Sequence, residues 1–84
     1  MSCARCGAEA SQVAHPLKVV FCSPCMSLWL REPSCSLEAV CIGAKLSVVY
    51  RPGEAPTYQG RSERFDAELL RRTREWIAAA KGAA

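Results

Sequence analysis

Six cysteines dominate the chemistry open to this chain of 84 residues, and four of them fall in two CxxC pairs, Cys3/Cys6 and Cys22/Cys25, with fifteen residues between. A two-residue spacer lets one tight turn present both sulfurs of a pair to the same ion, and tetrahedral Zn²⁺ takes four such ligands at about 2.3 Å. Two pairs set about 15 to 20 residues apart have the spacing of a structural zinc site. The sequence therefore predicts one structural zinc held by Cys3, Cys6, Cys22 and Cys25. A catalytic zinc keeps a position open for water, and four thiolates close the shell. Redox chemistry at CxxC calls for a single pair with a low-pKa thiol in a thioredoxin-like βαβ setting, which the sequence does not offer. No paired carboxylates, activated nucleophile or phosphate loop stand out. The expectation is a protein that is not an enzyme and has no small-molecule substrate.

Length supports the need for a metal. A domain of 84 residues buries only roughly 60 to 65% of its unfolded surface, so its core alone gives marginal stability. Structural zinc contributes an apparent ~10 to 16 kcal/mol in small peptides, comparable with a whole domain's net stability. In a secreted miniprotein six cysteines suggest three disulfides. Here Met1 leads straight into Ser2-Cys3 with no basic stretch or apolar run, which does not read as a signal peptide. No apolar stretch is long enough to span a membrane. The chain is accordingly expected in a reducing cytoplasm, with its CxxC pairs as metal ligands rather than cystines.

The formal net charge is +3, from 11 Lys+Arg against 8 Asp+Glu. Zinc and its four thiolates together carry a net charge of −2, which brings the metallated chain to about +1. So small a charge gives no global electrostatic case for nucleic acid, and any such case rests on local clusters of arginine.

The elements that must position the cysteines can be read from their neighbours. Gly7 directly after Cys6 permits the positive φ of a knuckle turn. Gln12-Val13-Ala14 and Leu17-Lys18-Val19-Val20-Phe21 flank His15-Pro16 as a short hairpin that delivers Cys22. His15 reads as an exposed turn residue, since four cysteines already fill the site. Cys22-Ser23-Pro24-Cys25 opens a helix with Met26, Leu28, Trp29 and Leu30. Ser23 is suited to the N-cap and Pro24 to the first turn, and Pro33 stops the helix near Arg31. Free N–H groups at such a helix start help to stabilise thiolates.

A knuckle, a hairpin and a CxxC at a helix start resemble the treble-clef zinc finger over residues 1 to 32. That resemblance implies Cys3, Cys6, Cys22 and Cys25 as ligands. It implies little about function, since the group spans ribosomal proteins, nucleases, nucleic-acid binders and protein-interaction domains. The HNH nuclease branch needs histidines, of which His15 is the only one. Rubredoxins and zinc ribbons are similar at Cys3 to Gly7 but use a second glycine-following knuckle, which Met26 denies.

Beyond residue 32, Ser34 or Ser36 is suited to cap a short helix through Leu37, Ala39, Val40 and Cys41, with Gly43 at its C′ position. Leu46, Val48 and Tyr50 then alternate as a strand, and Pro52-Gly53-Glu54-Ala55-Pro56 turns the chain back to Thr57-Tyr58-Gln59. Ser62 caps a final helix over about residues 63–81, ended by Gly82, in which Phe65, Leu69, Leu70, Thr73, Trp76, Ile77 and Ala80 share one arc. The parts are zinc finger 1–32, short helix and β-hairpin 33–60, and C-terminal helix 61–82, read together as one α+β domain. Cys35 and Cys41, taken as lying on one helix, face about 240° apart and read as small buried hydrophobes.

For function, the expectation is a protein-binding module that is a regulator or inhibitor of a nucleic-acid machine, with a mobile element as the suggested origin of the module itself. Trp29, on a short helix near the metal, is the aromatic suggested for a partner, while Trp76 is assigned to the core. The alternatives are direct DNA or RNA binding and a structural subunit of a larger assembly. For direct binding, Arg64, Arg71 and Arg74, with Arg51 and Arg61 nearby, would contact phosphates, and Tyr50 and Tyr58 would stack on bases. Against it, Glu68 and Glu75 sit at pairing distance from these arginines, as on any solvated helix face.

Overall fold

In the computed structural model, which describes residues 1–14, 17–60 and 62–82, two short antiparallel hairpins alternate with helices in an α+β arrangement. The first hairpin pairs β1 (Gln12–Ala14) with β2 (Val19–Phe21), Val13 opposite Val20. Helix α1 (Ser23–Leu30) follows, then a 3₁₀ turn at Pro33–Cys35 and helix α2 (Leu37–Ala44). The second hairpin pairs β3 (Ser47–Val49) with β4 (Thr57–Gln59), Val48 opposite Tyr58. Helix α3 (Ser62–Gly82) closes the described chain. The expectations placed on His15-Pro16, on Arg61 and on the Ser62 side chain fall outside the described residues.

The chain buries its apolar side chains in two clusters. The first gathers Cys3, Ala10, Ala14, Phe21 and Cys25, with Trp29, Trp76 and Ile77 packed against it. The second gathers Cys41, Ala44 and Leu46 beneath Leu37, Val48, Tyr58 and Phe65. Tyr58 stacks on Phe65 at 4.4 Å between ring centroids, so this tyrosine is occupied within the fold. Helix α3 serves both clusters, Phe65 at one end and Trp76 and Ile77 toward the other. Between them Thr73 is fully buried. Its hydroxyl accepts the indole N–H of Trp29 at 3.0 Å and lies 3.8 Å from Cys35 Sγ. The apolar arc expected of α3 is present: Leu69 and Thr73 are buried, and Phe65, Leu70, Trp76, Ile77 and Ala80 are half-buried.

Several local assignments need correction. Cys22, not Ser23, is the N-cap of α1. Ser23 is the first helical residue, and its hydroxyl accepts from Gln12 Nε2 at 2.8 Å, which ties β1 to α1. Ser36, the second of the two candidate caps, starts α2 by accepting the Ala39 N–H at 3.2 Å. Gly43 does not end that helix. It lies inside α2, and Lys45 takes the left-handed position after it, at φ 59°. A Cβ on Gly43 would come within 2.5 Å of Glu68 Oε1 and 2.8 Å of Arg72 Nη2, so this glycine permits the close approach of α2 and α3. Cys35 sits in the 3₁₀ turn rather than on a helix shared with Cys41, so the angle between them has no meaning. Cys41 is fully buried as expected, whereas Cys35 is half-buried.

Candidate metal centre

The two CxxC pairs converge: the sulfurs of Cys3, Cys6, Cys22 and Cys25 all lie within 4.8 Å of one another. Each pair is delivered by a different device. Residues 1–10 fold back on themselves through a Ser2/Glu9 bridge, a bond from the Ala10 N–H to the Met1 carbonyl and one from the Cys3 N–H to the Ala8 carbonyl, at 2.7 Å each. Gly7, at φ 80°, closes the knuckle by donating to the Cys3 carbonyl at 2.9 Å. The Ala4 N–H bonds the Val20 carbonyl at 2.8 Å and so fixes the knuckle on β2. Strand β2 leads directly to Cys22, whose carbonyl accepts the Met26 N–H at 2.8 Å in the first turn of α1 and leaves Cys25 on that turn. Cys3 and Cys25 are buried, Cys22 half-buried and Cys6 exposed.

The donor set fits a tetrahedral thiophilic ion. Sulfurs 2.3 Å from a common centre stand about 3.8 Å apart along each tetrahedral edge. The Cys6 and Cys22 sulfurs are 3.5 Å apart, close to that edge and far beyond a disulfide bond, and all the cysteines are free thiols. Backbone amides point at the sulfurs. Burial pushes the Cys3 thiol up, but the N–H groups of Cys22, Cys6 and Arg5 outweigh it and hold the group at about 6. Cys6 accepts the Ala8 N–H, which lowers it, but the neighbouring thiols of Cys22 and Cys3 leave it raised. Cys25 is pushed up to about 12, first by burial and then by the Cys22 thiol, against the Arg5 guanidinium. The backbone amides thus favour the thiolate at Cys3, while neighbouring thiols at Cys6 and burial at Cys25 oppose it. A dication at the centre favours deprotonation of all four sulfurs.

Arg5, between the first pair of cysteines, is a contributor that spacing arguments miss. Its Nη1 donates toward Cys25 Sγ at 3.8 Å, and its guanidinium lies 4.6 Å from the centre of the Trp76 ring. Phe21 lies beneath, with ring centroids 5.8 Å from Trp76 and 5.9 Å from Trp29.

The other residues singled out by sequence lie away from this centre. Trp29 is half-buried and engaged with Thr73 and Phe21, so much of the aromatic expected to face a partner packs inward. On the same helix Leu28 and Leu30 are the more open apolar groups, 48% and 72% exposed. Arg64 donates to the carbonyl of Ala44, the last residue of α2, and so satisfies one of the carbonyls a helix end leaves without a partner. Arg71 pairs with Glu68 and, at 2.7 Å, with Glu75. Arg72 bridges Glu68 at 2.8 Å and the Ser34 carbonyl at 3.1 Å. Arg74 is exposed and makes no ion pair among the described residues. The stripe of arginines is therefore largely committed to intramolecular bonds. No helix among the described residues is long and apolar enough to cross a membrane.

Comparison with protein-family models, with curated proteins and with solved structures gives no match for this chain. What the chain is shown to be is a small α+β protein with two hairpins, a long C-terminal helix and a four-cysteine cluster able to hold a metal ion.

Proposed function

We propose that this protein is a non-enzymatic, treble-clef-type zinc module that docks on another protein, as a regulator or inhibitor of a nucleic-acid machine. The observation that carries the zinc assignment is the convergence of four sulfurs within 4.8 Å, from two loops whose backbone amides are aimed at them. The order of parts supports the treble-clef reading: knuckle, β1/β2 hairpin, then a helix that begins at the second CxxC. Four thiolates close the shell around one ion, so the metal holds the fold together and has no site for a substrate. Leu28, Leu30, Ile42 and Tyr50 stand open on the surface and support a role in protein contact. Direct nucleic-acid binding is weakened as a reading because Arg64, Arg71 and Arg72 already serve the Ala44 carbonyl and the Glu68/Glu75 carboxylates.

Two measurements test this function. Elemental analysis of reduced, purified protein is expected to find one zinc per chain, and two metals or none in a folded sample would overturn the zinc assignment. A tagged pull-down with mass spectrometry, repeated across a salt series, is expected to retain a protein partner as salt rises. Retention of nucleic acid alone, with affinity falling linearly with log salt, would replace the protein-docking reading with a phosphate-binding one.

A further inference from the structure

We propose that Arg5 is the built-in counter-ion of the metal–thiolate centre and that Trp76 positions it, so that metal retention and docking of α3 are coupled through one guanidinium. The inference rests on the zinc reading and extends it to residues outside the ligand set. Four thiolates around a dication leave two net negative charges, and two of the sulfurs, those of Cys3 and Cys25, are buried. Charge removed from water in this way needs a partner held close. Arg5 is half-buried, with Nη1 3.8 Å from Cys25 Sγ.

The other side of the guanidinium is no more solvated. Its Nε is buried with no hydrogen-bond partner among the described residues, and its plane meets the Trp76 ring at 4.6 Å. An arginine bears such a position better than a lysine: its charge is delocalised, weakly hydrated and able to rest on an indole while a fork nitrogen reaches the sulfur. Trp76 belongs to α3 and packs edge-on against Phe21. The knuckle thus contacts the C-terminal helix through Arg5, seventy-one residues earlier in the chain. Groups that hydrogen-bond metal ligands in this way change metal affinity by about 10- to 100-fold when removed.

The test is a cycle of variants of the full chain, reduced, with Zn²⁺ affinity read by competition with a chelator and Co²⁺ absorption as a second report on the thiolate site. Arg5→Met is expected to bind one metal about 10- to 100-fold more weakly. Trp76→Phe, which keeps a ring in the core but weakens the cation–π contact, is expected to lower affinity severalfold in the parent and to change nothing beyond that in Arg5→Met. Affinity of Arg5→Met within twofold of the parent overturns the proposal, as does an equal Trp76→Phe effect in both backgrounds. Should Arg5→Met fail to fold, Arg5→Gln carries the same cycle with the same criteria. A parent chain that takes up no Zn²⁺ or Co²⁺ overturns the zinc reading itself, a result distinct from metal binding that ignores Arg5.

Discussion

Thr73→Val is the sharpest probe of how the two apolar clusters are joined. The substitution keeps volume and branching but exchanges a fully buried hydroxyl for a methyl. It removes the acceptor of the Trp29 indole N–H, 3.0 Å away, and a polar neighbour of Cys35 Sγ. A neutral hydrogen bond is worth about 1 kcal/mol net, and a buried donor left unpaired costs about 1 to 3 kcal/mol. Trp29 is only half-buried, so its N–H can regain part of its hydration. The added methyl also gains some apolar burial. The expected net loss is about 1 to 2.5 kcal/mol, or roughly 5 to 15 °C in Tm for a domain of this size. Urea denaturation at saturating zinc measures it. Thr73→Ser, which keeps the hydroxyl, separates the hydrogen bond from the packing. In a double-mutant cycle with Trp29→Phe, a coupling of about 0.5 kcal/mol or more is expected between the two positions. A Thr73→Val protein within about 0.5 kcal/mol of the parent, or no coupling in the cycle, would refute the assignment of Thr73 as a hydrogen-bonded joint.

Chelation, or Cys3→Ser or Cys22→Ser, is expected to unfold the cluster around Phe21 and to abolish metal uptake; unchanged near-ultraviolet circular dichroism after chelation contradicts this. Cys41→Ser is expected to keep one metal per chain but to lose about 1 to 3 kcal/mol in denaturant titration, because it places a hydroxyl where burial is complete. Glu68 is held below its ordinary value of 4.5 by Arg71, with Arg72 adding to this against the opposing effect of burial. Because the folded value lies below the unfolded one, the contribution of Glu68 is present in full above about pH 4.5 and is lost as pH falls through the folded value. The stability gap between parent and Glu68→Gln should therefore close on acidification, with metal loss common to both proteins; a gap that widens there reverses the sign. Affinity for random duplex or single-stranded nucleic acid is expected to be no better than about 10⁻⁵ M at physiological salt. Submicromolar binding abolished by alanine at Arg64, Arg71 and Arg74 would make the α3 arginines the functional site.

Much of the four-cysteine cluster was legible because such clusters are encoded locally: a two-residue spacer and a following glycine are properties of one turn. The elements were legible for a similar reason, as the period of Phe65, Leu69, Thr73 and Trp76 or the alternation around Val48 is written in neighbouring residues. What sequence could not disclose are the contacts made across the chain. Gly43 looked like a helix terminator because glycine suits that place, while its actual use depends on Glu68 and Arg72 of α3. Lys45 accepts the left-handed position that glycine was expected to fill. Arg64 looked like a free cation because its acceptor, the Ala44 carbonyl, lies twenty residues back. Thr73 was placed correctly on the buried arc, but its bond to Trp29 spans 44 residues and leaves no local trace. Arg5 was the hardest to foresee, since a charged residue inside a CxxC is ordinary surface chemistry until an indole from the far end of the chain is laid against it.

The sharing of α3 between two clusters gives that helix two unequal anchors. At 21 residues it is about 31 Å long. Its Phe65 end rests on the second cluster, among Val48 and Tyr58, which contains no metal ligand. Its Trp76 end rests on residues that surround the metal centre. Under the proposed zinc reading, loss of the ion is expected to remove one anchor and spare the other, so that the helix frays from the C-terminal side back toward Thr73. The retained segment is then about 12 residues, the length at which an isolated helix becomes marginal in water, and the released segment bears Trp76 and Ile77. On the proposed zinc reading, occupancy of the centre is in this way expected to set how much of the C-terminus a protease can cut.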